Sequence, residues 1–181
     1  QTCALPISVM KNQKAVMYET AKTAAEMVGG GAHMWVLSSP KSVYSDAAGA
    51  SMGLVFTNHF PKDSMKAGDI LFVADAGDSP ASEMVEEARS AKEKGCYIIA
   101  AGSANQTALK QIADVYFDNL SPEGYGLFAI PGHDNKIALA GSLINSIVYG
   151  TFSVQMVDEM CQRGWFPDRK STRLNSSHRI R

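Results

Sequence analysis

Cysteine is scarce in this chain. There are three in 181 residues, at positions 3, 96 and 161. Their irregular spacing supports neither a disulfide framework nor a zinc site, and Cys96 and Cys161 read as buried thiols of a cytoplasmic protein. Metal-ligand spacing is also missing among His33, His59 and His133. No apolar run reaches spanning length, because the best stretch, Ile137 to Val157, is interrupted by Gly141, Asn145, Ser146 and Gly150. Basic excess is absent too: the formal charge is −1, which leaves no electrostatic footprint for nucleic acid. The Gly29–Gly31 run precedes an expected strand instead of following one, so it is no dinucleotide fingerprint. These absences remove nucleic acid, membrane, metal and cofactor from the expected partners.

The two ends read as foreign. Gln1–Ile7 (QTCALPI) is the translation of cag acg tgt gct ctt ccg atc, a string similar to a common short-read sequencing adapter. Asp168–His178 (DRKSTRLNSSH) translates the matching adapter at the other end. The expectation is therefore a metagenomic fragment, with one domain over residues 8–167 and non-native ends at 1–7 and 168–181. Setting the tail aside removes five basic residues and one acidic one, so the formal −1 becomes −5 for the body. A basic-tail reading would rest on those added residues.

What is present is a regular alternation. Helix is expected over Val9–Val28, with a glycine stop after it, then strand over Ala32–Leu37. A small-residue helix (Val43–Met52) and a strand (Leu54–Asn58) follow, then the clearest strand, Ile70–Ala74. Helix Ala81–Lys94 closes at Gly95, and strand Cys96–Ala101, helix Asn105–Ala113 and strand Val115–Asp118 complete the sheet. After a loop rich in glycine and proline, a long helix is expected from about Asn135 to Gln162. Five apolar strands between helices, most of them uninterrupted by polar residues, imply a parallel five-stranded sheet covered on both faces, a three-layer α/β/α sandwich. Such sheets bind ligands beyond the carboxyl ends of their strands. The loops that matter are then Ser38–Ser42, Asn58–Ser64, Asp75–Pro80, Gly102–Asn105 and Asn119–Asp134.

In this order of elements the chain resembles the sugar-isomerase (SIS) family, whose sheet is flavodoxin- or Rossmann-like. The stretch AGDILFVADAGDSPASEMVEEARSAKEKGCYIIAAGSANQTALKQIADVYFDN is similar to the family core, with Ala113-Asp114 opening the last strand. The segment PGHDNKIALAGSLINSIVYGTFSVQMVDEMCQRG is similar to the terminal part of uncharacterised bacterial members. The resemblance implies two turns that cradle a sugar phosphate. The first becomes Ser38-Ser39-Pro40-Lys41-Ser42, with both family glycines replaced and the final serine kept. The second becomes Ala74-Asp75-Ala76-Gly77-Asp78-Ser79, in which the two family serines are alanines. Gly102 and Ser103 extend the expected ligand-binding set.

Charge argues against the usual grip. Two unit charges about 4 Å apart repel by roughly 1 to 4 kcal/mol, and each lost hydroxyl donor costs on the order of 1 kcal/mol. Asp75 and Asp78 stand where a dianion would sit, offset by Lys41. The same DAGDSP segment also reads as a plain turn, with Asp78 or Ser79 capping a helix that has Pro80 at its first position. For catalysis the resemblance implies a carboxylate or histidine beside the sugar carbonyl, and the candidates are Glu83, His59 and His133. Each has a structural alternative: Glu83 complements the helix dipole, and His133 sits in a solvent-facing loop. The leading expectation is binding of a phosphosugar or related carbohydrate derivative without catalysis. The alternatives are an active phosphosugar isomerase or lyase, and a dimerisation module without ligand. Gly141, Ser142, Ser146 and Gly150 suit close helix packing, within the chain or across subunits, and the resemblance implies a homodimer.

Overall fold

The structure is a computed structural model that describes residues 4–39, 57–59, 64–77, 82–121, 126–129, 131–132 and 136–165. Its first element is a long helix, α1 (Ala4–Gly29). It begins earlier than the expected Val9, since extending a nucleated helix by a turn costs little. Along it Val9 is fully buried, whereas Ile7 is 54% exposed. Gly31, at φ 101°, ends the helix: its N–H donates to Val28 O and that of Ala32 to Met27 O. This paired closure needs a left-handed residue that glycine adopts without penalty.

β1 (Met34–Ser39) follows, then the three-residue β2 (Thr57–His59) along its outer edge, with Val36 opposite His59. The expected helix Val43–Met52 and residues 54–56 of the expected second strand lie outside the described residues. Next come β3 (Ile70–Asp75), α2 (Ser82–Glu93), β4 (Tyr97–Gly102), α3 (Thr107–Ile112) and β5 (Val115–Asp118). β1, β3, β4 and β5 form a continuous parallel sheet in that order.

The two faces of the sheet explain its uninterrupted apolar strands. Ile70, Phe72 and Ala74 join Ile99, Ala101 and Phe117 beneath α1 and the last helix, α4 (Ala140–Gln162). Leu71 and Val73 join Ile98 and Ala100 beneath α2 and α3, against Met84, Val85 and Leu109. Phe72 packs edge-on to Tyr149 at 5.0 Å between ring centroids, and Phe152 stacks on it at 5.8 Å. Apolar residues on both faces are what a double-sided sheet requires.

The C-terminal end departs from expectation in where its helix begins. The last helix starts at Ala140, not Asn135, because Lys136–Leu139 forms a strand (β7) antiparallel to β6 (Gly126–Ala129). The small residues of α4 also serve packing within the chain. A Cβ on Gly141 would stand 2.7 Å from Ala76 O, so glycine lets the start of α4 close onto the turn after β3. Cys96 is buried as expected, but Cys161 is half-buried. Among the described residues no helix is long and apolar enough to cross a membrane, and no group of three or more metal-ligating side chains gathers.

Candidate functional site at the carboxyl rim of the sheet

β1 and β3 are direct parallel neighbours, so their carboxyl ends lie side by side. Ser38 is opposite Ala74 and Ser39 opposite Asp75. The ladder runs one step further, with the Ala76 N–H donating to Ser39 O at 3.0 Å. The turn then closes on itself: the Gly77 N–H donates to Asp75 Oδ1 at 2.6 Å. Both amides at the start of this turn are therefore already bonded within the chain.

Asp75 stands in this turn with 4% exposure. Its carboxylate takes the Gly77 amide, an arrangement aspartate adopts in turns of any function. Ser38 and Ser39 are half-buried at the end of β1. Ala74, which occupies the position of a family serine, is fully buried against the α1 and α4 side of the core. Its side chain therefore faces the core and not the rim, whereas Ala76 is half-buried, like Ser38 and Ser39.

At the end of β4, Gly102 is a packing position. A Cβ there would come within 1.9 Å of Gln106 Oε1 and 2.8 Å of the Tyr116 hydroxyl. Ser103 is 2% exposed, and among the described residues its Oγ has no hydrogen-bond partner, an arrangement that ordinarily calls for an explanation. Its carbonyl accepts from Tyr116 Oη at 2.6 Å. Burial, then the charges of Asp118 and Asp75, push the Tyr116 phenol well up, so it stays a donor.

Of the proposed catalytic groups, Glu83 is exposed in the first turn of α2. His59 ends β2 opposite Val36, short of the Ser39 end of β1. His133, together with Lys41, Ser42, Asp78 and Ser79, lies outside the described residues. The structure thus brings Ser38, Ser39, Asp75 and Gly77 together.

A second set of residues went unnoticed in the sequence. Asn145 of α4, 1% exposed, donates from Nδ2 to Asp75 O at 2.8 Å. Gln106, fully buried, donates from Nε2 to Gly77 O at 2.6 Å. Asn119 links to Asn145, and its Oδ1 accepts from the Ser121 N–H at 2.9 Å. The available signal was Asn145 itself, a polar residue between Ile144 and Val148 on the apolar stripe of α4.

No family model matches the chain, and no curated protein matches it in sequence. Solved structures do share its fold. The NanR protein of Vibrio vulnificus, complexed with ManNAc-6P, superposes with a TM-score of 0.59 at 12% identity, over 89% of this chain and 62% of that one. A hypothetical protein gives 0.56 at 15% identity over 89% and 87%. A candidate phosphosugar isomerase from Silicibacter pomeroyi gives 0.54 at 11% over 87% and 48%. The likeness is one of fold. The chain spans less than two thirds of the NanR and Silicibacter structures, and the likeness extends to no property beyond the fold.

Proposed function

We propose that this chain binds a sugar phosphate or related carbohydrate derivative at the rim formed by β1 and β3, and that it does so without converting it. The observation that carries the reading is the pairing of Ser39 with Asp75, which sets the carboxyl ends of β1 and β3 side by side. With β2 counted as a fifth strand, the order β2-β1-β3-β4-β5 reverses direction between β1 and β3. Open α/β sheets bind their ligands at such a switch point, beyond the strand ends. The ManNAc-6P carried by the Vibrio NanR protein supports the ligand class.

The non-catalytic part of the reading draws on two described carboxylates, and His59 and His133 are the groups an active enzyme would use instead. A general base must reach the proton it removes; Glu83 is exposed on α2, and the Asp75 carboxylate is engaged by the Gly77 amide. We read residues 8–167 as the domain, and the protein as a cytoplasmic homodimer.

Thermal unfolding of the full chain with ManNAc-6P, glucosamine 6-phosphate, fructose 6-phosphate and unphosphorylated N-acetylmannosamine tests the reading. A ligand at one hundred times its Kd adds about 2.7 kcal/mol, which is about 5–10 °C in Tm for a chain of this size. Stabilisation by at least one phosphorylated sugar, with no product formed, is the expected result. Failure of all four to raise Tm removes the reading, and turnover of any of them promotes the enzyme.

A further inference from the structure

Two carboxamides close on the β3 turn from opposite layers of the sandwich. Gln106, just before α3, donates to Gly77 O at 2.6 Å and reaches Asp75 O at 3.4 Å. Asn145, in the second turn of α4 on the other face, donates to the same Asp75 carbonyl at 2.8 Å. Each amide is itself oriented. Tyr116 Oη lies 3.4 Å from Gln106 Oε1, and Asn119 Nδ2 donates to Asn145 Oδ1 at 2.9 Å. Gly102 leaves the space that the Gln106 carboxamide fills.

Leucine or methionine would satisfy packing at either position. Fully buried amides demand that every donor and acceptor be met, so they specify one geometry where an apolar residue would permit several. Here that geometry is the inward orientation of the Asp75 and Gly77 carbonyls, which sets the direction in which the chain leaves β3.

We propose that Gln106 and Asn145 are positioning residues for the ligand site: gripping the Asp75–Gly77 turn from both faces, they fix the second turn against the end of β1 and thereby set affinity without touching the ligand. This rests on the β1 and β3 rim being the binding site, but the grip itself is measurable without any ligand.

The test uses Gln106→Met and Asn145→Leu in the full chain, with amide hydrogen exchange and calorimetric titration of ManNAc-6P. Exchange at the Ala76 and Gly77 amides should quicken on the order of tenfold, the loss of roughly one hydrogen bond, while the Ile98–Ala100 amides of β4 keep wild-type rates. The Kd for ManNAc-6P should weaken by a similar factor. A general role in stability would instead move the β4 amides as well. If Ala76 and Gly77 exchange at wild-type rates in both variants, the grip is refuted whatever the ligand does. Faster exchange with Kd unchanged within twofold refutes the positioning role. A wild type that binds no sugar phosphate condemns the proposed function, and the exchange result still decides the grip. Should one variant lose β4 protection, the other carries the test, with Gly102→Ala as the milder way to displace Gln106.

Discussion

Asn119 donates from Nδ2 to Oδ1 of Asn145 at 2.9 Å, and this contact decides which way the Asn145 carboxamide faces. With Oδ1 so engaged, Nδ2 points at Asp75 O. Asn119 also accepts the Ser121 N–H. One side chain thus ties the end of β5 to α4 and, through it, to the β3 turn. Asn119→Asp keeps the acceptor for Ser121 but sets two acceptors against each other in a buried place. It should destabilise the chain by about 1–3 kcal/mol, read as a lower urea midpoint with an unchanged slope.

A different polar node sits at the opposite rim. Asp69, 4% exposed, accepts from the His33 N–H at 2.9 Å, the Trp35 indole at 3.1 Å and the Lys66 N–H at 3.0 Å. Burial alone would raise its pKa, but these donors, with the nearby His33, outweigh it and hold the carboxyl below its usual value. A depressed folded-state pKa contributes stability that is fully present above the ordinary carboxylate range. That contribution falls away as pH drops through the folded value. Asp69→Asn should cost about 2–3 kcal/mol at pH 7, and the gap to wild type should narrow below about pH 4. Urea unfolding across pH 3 to 7 measures it; a gap independent of pH would contradict the assignment.

Asp114 explains why an Ala-Asp pair opens the last strand of the sheet. Its Oδ2 accepts the Ile98 N–H at 2.9 Å, and Oδ1 meets Lys92. The lysine side chain is 42% exposed, so screening leaves its ion pair worth about 0–1 kcal/mol. The backbone amide has no such substitute. Asp114→Ala should therefore destabilise by about 1–3 kcal/mol, and Lys92→Ala by well under half of that. High salt should erase the lysine effect and leave the aspartate effect in place.

The sheet was legible because ILFVA and CYIIAA are apolar on both faces, a pattern that a strand under two helix layers produces and few other settings do. Helix ends were legible where glycine closes them, as at Gly95, whose φ is 85°. The hairpin of β6 and β7 was not, since Lys136–Leu139 runs straight into an apolar helix and four residues are too few to show a period. Within the site, Ser39 and Asp75 were located by their distance from strand ends. Gln106 and Asn145 were not, because their partners are main-chain carbonyls 29 and 70 positions away. Contacts made to backbone leave no complementary residue type in the sequence.

The two alanines of the second turn make opposite predictions, although in sequence they look equivalent. Ala74 is fully buried among apolar side chains on the α1 and α4 face. Ala74→Ser places a hydroxyl there without an assured partner and should destabilise by about 1–3 kcal/mol, with no gain in binding. Ala76 is half-buried at the rim, just beyond the Ser39 and Asp75 pair. A hydroxyl there adds a neutral donor beside the proposed anion site without adding charge. Ala76→Ser should tighten ManNAc-6P by a few-fold to about tenfold, the value of one hydrogen bond, at near wild-type Tm. Calorimetric titration of both variants separates the cases. Equal effects of the two substitutions on Kd would mean that the ligand does not approach this turn from the rim.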